Sequence, residues 1–197
     1  MMMMARYCRL VSLLLAALVT RHVTAIDTVP QLNITQYLGT WYQVYGNLIV
    51  DEFTERHCKC VMAHYGALSN GSISVLNACR LKSPDGELNT IRGYAFRPDD
   101  KEQGKIEVVF GGKPIGGTNY WVVQLGPPTF NGTYYQYSVV TDPFSANLFV
   151  LARNVTEFKQ KYDEDVTTIL KQQGFTKFYN KPIETYQGND CMYIKPF

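Results

Sequence analysis

The sequence predicts an all-β fold, a sandwich or barrel of eight short strands followed by one helix. Three observations predict it. Short apolar and aromatic runs recur at regular spacing, divided by clusters of Gly, Pro, Asn and Asp. Fourteen Tyr and ten Phe suit a pleated, half-buried surface. A single late segment changes from alternating to helical spacing.

Each element can be justified in order. Thr40 to Tyr45 is aromatic and β-branched. Cys58 to Leu68 alternates, Ser69-Asn70-Gly71 turns the chain, and Ser72 to Leu81 returns. Pro84-Asp85-Gly86 precedes Leu88 to Phe96, and the Pro, Asp and Gly residues between Arg97 and Gly104 precede Lys105 to Phe110. The Gly-rich stretch 111–117 leads to Tyr120–Leu125, which Gly126-Pro127-Pro128 ends. Thr133 to Thr141 and Asn147 to Arg153 complete the eight. Between Glu157 and Gln173, Phe158, Tyr162, Val166, Ile169 and Leu170 recur near helical spacing, with Gly174 as the stop. Phe175 to Tyr179 is a candidate last short strand.

Composition bounds the function. A chain of 197 residues that is 46% hydrophobic and 18% charged is neither disordered nor collagen-like nor a coiled coil. Residues 1–25 read as a secretory signal peptide: Arg6 and Arg9, then the apolar run from Leu10 to Val19, then Val23-Thr24-Ala25 at the cleavage point. Residues 26–197 read as a single domain. The leader carries three of the 19 basic residues and none of the 17 acidic ones, so its removal turns the net charge from +2 to −1. No basic stripe remains for nucleic acid. Cys8 leaves with the leader. Cys58, Cys60, Cys79 and Cys191 remain, an even number for an oxidising, extracellular compartment. Sequons at Asn33, Asn70, Asn131 and Asn154 agree with a secreted glycoprotein.

Two motifs carry a family resemblance. Gly39-Thr40-Trp41-Tyr42 opens the first strand, and Leu151-Ala152-Arg153 closes the eighth. With them the chain resembles a lipocalin. Tyr37-Leu38 before the first motif, Cys60-Val61-Met62-Ala63-His64-Tyr65, Ser74-Val75-Leu76-Asn77, Tyr120-Trp121 and Asn154 after the last narrow the likeness to the branch of apolipoprotein D and the bacterial lipocalins. The resemblance implies an eight-stranded antiparallel up-and-down barrel with one C-terminal α-helix packed outside. It also implies a carrier of a small hydrophobic molecule such as a fatty acid, a sterol or a retinoid, with carotenoids and bilins open. The family's Thr-Asp-Tyr motif is missing; Leu125-Gly126-Pro127-Pro128 stands there. Phe149 stands where apolipoprotein D has a ligand-facing Trp, and Cys58 and Cys79 have no counterpart.

The resemblance also assigns residues. Trp41 and Arg153 form a structural base at the closed end, a guanidinium over an indole. Ala63 and Tyr65 face inward, and Val61 follows by alternation, while Cys58, Cys60, Met62 and His64 then point outward. Val75, Asn77, Phe149 and Leu151 complete the ligand-facing wall, apolar and aromatic with two polar groups. Eight strands can equally hold a filled interior; the resemblance favours a cavity. It ties Cys60 to Cys191, which leaves Cys58 for Cys79. A turn at 69–71 sets residue 61 against 79 and aims Cys79 inward unless a β-bulge intervenes, so Cys58–Cys191 with Cys60–Cys79 stays open.

No catalytic residue, metal or cofactor is expected. His57, His64, Cys58 and Cys60 lack the spacing of a zinc module. A prostaglandin D synthase-like isomerase would need a free inward thiolate on the second strand. The other alternative is a lipocalin acting through protein partners in defence or signalling. In an up-and-down barrel the loops 46–57, 82–87, 111–118 and 142–146 rim the mouth. Leu48-Ile49-Val50, Phe53 and Ile115 would give that rim an apolar surface for a lid, a membrane or a receptor. All four sequons fall near the closed end.

Overall fold

The computed structural model describes residues 26–114, 116–129 and 131–195. The signal peptide assigned to residues 1–25 and the rim residue Ile115 lie outside the described residues.

Eight antiparallel strands close into a barrel. They are β1 (Gly39–Gly46), β2 (Cys58–Ala67), β3 (Ile73–Leu81), β4 (Leu88–Phe96), β5 (Lys105–Val109), β6 (Tyr120–Leu125), β7 (Tyr137–Thr141) and β8 (Leu148–Ala152). Each pairs with its sequence neighbour from β2 to β8, and β1 closes the circle by pairing with both β8 and β2. Closure removes the sheet edges that would otherwise template aggregation. β7 begins at Tyr137 rather than Thr133, because residues 133–136 form a turn pinned by the bridge between Pro128 and Tyr135.

β1 divides its hydrogen bonds. Gly39 to Tyr42 lie opposite Tyr65 to Met62 of β2, and Tyr42 to Tyr45 lie opposite Ala152 to Val150 of β8. Where β1 and β2 part, Gln187 bridges them. Its Nε2 donates to the carbonyls of Gln43 (2.8 Å) and Val61 (2.7 Å). A two-residue strand, β9 (Ile183–Glu184), adds to the upper part of β1.

The expected single helix is two, α2 (Val155–Lys161) and α3 (Asp163–Gln172), broken at Tyr162. Charge explains the break. Lys159 and Lys161 end the first helix, and Asp163, Glu164 and Asp165 begin the second, each matching the local end of the helix dipole. Gly174, at φ +90°, stops α3. Its N–H donates to the Lys171 carbonyl and that of Phe175 to the Leu170 carbonyl, the double bond of a Schellman cap. Phe175 to Tyr179 is therefore not a strand. Phe175 is buried as the apolar partner of that cap, and the residues after it turn around Asn180, whose side chain accepts from the Lys177 N–H.

A further short helix, α1 (Ile34–Tyr37), precedes the barrel, with the Asn33 side chain accepting from the Gln36 N–H. The molecule has two cores. One fills the lower barrel with Leu32, Tyr37, Trp41, Ile73, Val75, Ile106 and Val122 among others. The second lies outside, where Phe158, Val166, Leu170 and Phe175 cover Val44, Val139, Leu148 and Val150. Lys159 fixes the helices to the barrel. Its Nζ lies 2.7 Å from the Tyr45 hydroxyl and 2.9 Å from Glu184 of β9.

Trp41 joins the inner core to the closed end and is fully buried. Trp41→Ala should lower the stability by about 3–5 kcal/mol, read as the shift in a chemical denaturation midpoint. An unchanged midpoint would contradict its place in the base.

Candidate functional site

The closed end is built around Arg153, the residue after β8. Its guanidinium lies 3.6 Å from the centre of the Trp41 ring and 5.0 Å from that of Tyr134. Its N–H groups donate to the carbonyls of Thr40 (2.7 Å), Leu38 (2.7 Å), Gln36 (3.1 Å) and Tyr37 (3.2 Å). Three of these carbonyls belong to the end of α1 and its exit, where a helix presents partial negative charge. Burial pulls the Arg153 pKa down to about 10, so it stays cationic at neutral pH.

Above this base sits a floor of tyrosines. The Tyr37 hydroxyl is 2.8 Å from that of Tyr120 and 2.9 Å from Ser138 Oγ, and Tyr65 reaches Tyr120 at 3.2 Å. The Tyr37 and Tyr65 rings stack with centroids 5.8 Å apart. Burial raises all three pKa values, that of Tyr65 to about 12, so the hydroxyls stay neutral.

Over the floor lies a cavity of about 280 Å³. That is near the lower end of small-molecule sites, about 300–1,000 Å³. The expected wall residues Val61, Ala63, Tyr65, Val75, Asn77, Phe149 and Leu151 all line it. Met62, expected outside, lines it too. Just before it β2 carries a β-bulge. The β2–β3 register shifts between Lys59 and Met62, so Cys60 and Val61 together face Cys79. Cys60 itself takes φ +55°. Cys58 is bonded to Cys79, and Cys60 to Cys191, each pair with Cα atoms 5.5 Å apart. The β2 cysteines are thus consumed and hold no thiolate for isomerase chemistry. Among the described residues no cluster of His, Cys, Asp or Glu is arranged to hold a metal ion.

The sequence reading missed several lining residues. Ile106, Val108 and Tyr120 follow the alternation of β5 and β6 and were open to it. Tyr37 comes from a helix too short for periodicity. Glu55, Thr54, Gln43 and Asn147 come from the mouth, where loop conformation decides. The loop after β1 makes a π-helical turn, Val50–Thr54. Asn47 Oδ1 accepts from the Val50 N–H, and Val50 is fully buried, so it does not belong to the apolar rim assigned to it. Phe53, 82% exposed, does; so does Phe144, 89% exposed, in the neighbouring loop after β7. Asp142 shapes that loop by accepting the N–H groups of Phe144, Ala146 and Asn147.

Glu55 stands at the mouth, partly accessible from the cavity and from a groove outside it. Gln43 Nε2 donates to its Oε2 at 2.6 Å, and the same amide reaches Thr185 Oγ1 at 3.0 Å. Burial pushes the Glu55 carboxyl up to about 7; the Gln43 bond opposes the rise and Asp51 adds to it. Asn77 Oδ1, in the wall, is buried with no hydrogen-bond partner among the described residues.

Three comparisons bear on the family. A sequence model described as a lipocalin-like domain matches residues 32–182. Apolipoprotein D of Mus musculus is 36% identical over 78 residues, 40% of this chain and 38% of that protein. The outer membrane lipoprotein Blc of Vibrio cholerae is 28% identical over 151 residues, 77% of this chain and 81% of the other. The match thus spans well under half of the mouse protein. Among solved structures, the cockroach allergen Per a 4 superposes with a TM-score of 0.57 at 22% identity, over 82% of this chain and 92% of the allergen. Lobster apocrustacyanin A1 gives 0.55 at 16% identity, over 81% and 82%. These two likenesses speak for the fold.

The folded state holds the Glu55 proton between its usual value near 4.5 and about 7, where the unfolded chain has released it. The associated stabilisation is full below the unfolded value and is lost as pH rises through 7. Allowing for partial accessibility, the loss should be about 2 kcal/mol between pH 5 and pH 8. Glu55→Gln should flatten that slope in denaturant titrations at the two pH values.

Proposed function

The chain belongs to the lipocalin family, and on that premise we propose that it is a secreted, non-enzymatic carrier of a small hydrophobic ligand held inside the barrel. The barrel cavity, open at the mouth, carries this reading. Its walls are Val61, Val75, Ile106, Phe149 and Leu151, with hydroxyl and amide groups at a few fixed points. That is the chemistry of a site for an apolar body with one or two polar atoms. The apolar bodies of fatty acids, sterols and retinoids share this character. A native extract analysed by mass spectrometry should contain one stoichiometric lipophilic species. An empty extract, with no calorimetric response to a lipid panel, would instead favour action through protein partners.

Secretion is supported by the two disulfides and by the leader pattern at the N-terminus. Glycosylation is supported by side-chain geometry. Asn33, Asn70, Asn131 and Asn154 are all exposed. Each uses its Oδ1 to accept from the protein, at Gln36, Ser72, Thr133 and Glu157 respectively. The Nδ2 atoms, where a glycan attaches, make no hydrogen bond with described residues. The topology sets all four at the Arg153 end, away from the mouth. Glycopeptide mapping of the secreted protein should find sugar at these positions only; a glycan on a mouth loop would contradict the arrangement.

A further inference from the structure

The cavity's polar groups are unequal in charge, and this bears on which head group a ligand carries. Among the described lining residues none is Lys, Arg or His. Glu55 is the one carboxylate. Its Oε2 takes the Gln43 bond, and Oε1 takes no hydrogen bond from a described residue. No described cation lies within ion-pair distance of it.

The surroundings of Glu55 reinforce the point. Its own loop contributes Asp51, Glu52, Arg56 and His57; β2 contributes Lys59, the β3–β4 loop Lys82, and β9 Glu184, all around the outer groove. Of these charges Asp51 acts on Glu55 most, and it is negative. At the floor, burial is the main cause of the raised Tyr65 pKa; Arg153 beneath it lowers that pKa, and Glu55 raises it by less. Arg153 acts on the floor tyrosines from below but does not line the cavity. It lies against Trp41 and donates to carbonyls. The floor hydroxyls mostly bond one another.

A fatty-acid carboxylate entering this site meets a like charge and no cation. A protonated amine meets a carboxylate with no ion-pair partner among the described residues. Resting on the carrier reading above, we propose that the cavity selects lipophilic amines, with the ammonium seated on Glu55 and the alkyl or ring body against Val61, Val75 and Ile106. Asn77 Oδ1 offers a second acceptor for a hydroxyl or amine proton deeper in the wall.

Chain-matched ligands isolate the head group. Decylamine, decanol and decanoate are titrated calorimetrically into the full mature protein, wild type and Glu55→Gln. At pH 8 decylamine should bind at least about tenfold tighter than decanol, and decanoate weakest. Its affinity should fall by up to about tenfold per pH unit below pH 7, as Glu55 takes up a proton, while decanol stays level. Glu55→Gln should bring the amine down to the alcohol and leave the alcohol unchanged. Decanoate binding as tightly as decylamine, or an amine preference that survives Glu55→Gln, would overturn the inference while decanol binding still upholds the carrier. Binding of none of the three would overturn the carrier reading and the inference with it.

Discussion

One arginine holds the closed end together. Arg153 satisfies carbonyls from α1, from its exit and from β1, and covers the indole of Trp41 with its guanidinium face. A planar fork with several fixed donors can do this; a lysine could satisfy one or two of these acceptors and would lose the stacking. The contact also solves a local problem of α1. A four-residue helix cannot be stable alone. With Asn33 at its start and Arg153 at its end, it is fixed at both termini, and that fixes Tyr37. Tyr37 in turn carries the hydroxyl network on which the cavity rests.

The two cores divide the labour that follows. The inner one is densest at the base and gives way to open space toward the mouth. The outer one makes up for the apolar contacts that a hollow barrel forgoes. Phe158, Val166, Leu170 and Phe175 bury the outer faces of β1, β7 and β8. A barrel that keeps a cavity loses dispersion contacts along the cavity wall, and the helix pair adds burial on the outer face of β1, β7 and β8.

Much of this was legible in the sequence. All eight strands follow from alternation and turn residues, and the seven wall residues follow from the family resemblance, with alternation adding Val61 and parity with Arg153 supporting Phe149 and Leu151. Three things were not. The helix break at Tyr162 was written in the charge order Lys159, Lys161, Asp163, Glu164, Asp165, but the apolar spacing runs through it and masks the signal. Phe175 is apolar for a cap, not for a strand, and an isolated apolar residue does not say which. Glu55 could not be read at all. It belongs to a loop, and only the path of the π-helical turn decides that its side chain meets the cavity.

The bridge made by Gln187 has a consequence for how the protein is made. The gap between β1 and β2 is sealed by a side chain 144 residues after Gln43 and 126 after Val61, and by a disulfide whose cysteines are 131 residues apart. Such distant partners are slow to meet. During synthesis all eight strands must leave the ribosome before that gap can be covered. Until then the strand partners around it offer unpaired backbone to any passing chain. The β1–β2 gap is therefore among the last parts of the barrel to close. The Cys60–Cys191 bond then locks the C-terminal segment over that gap.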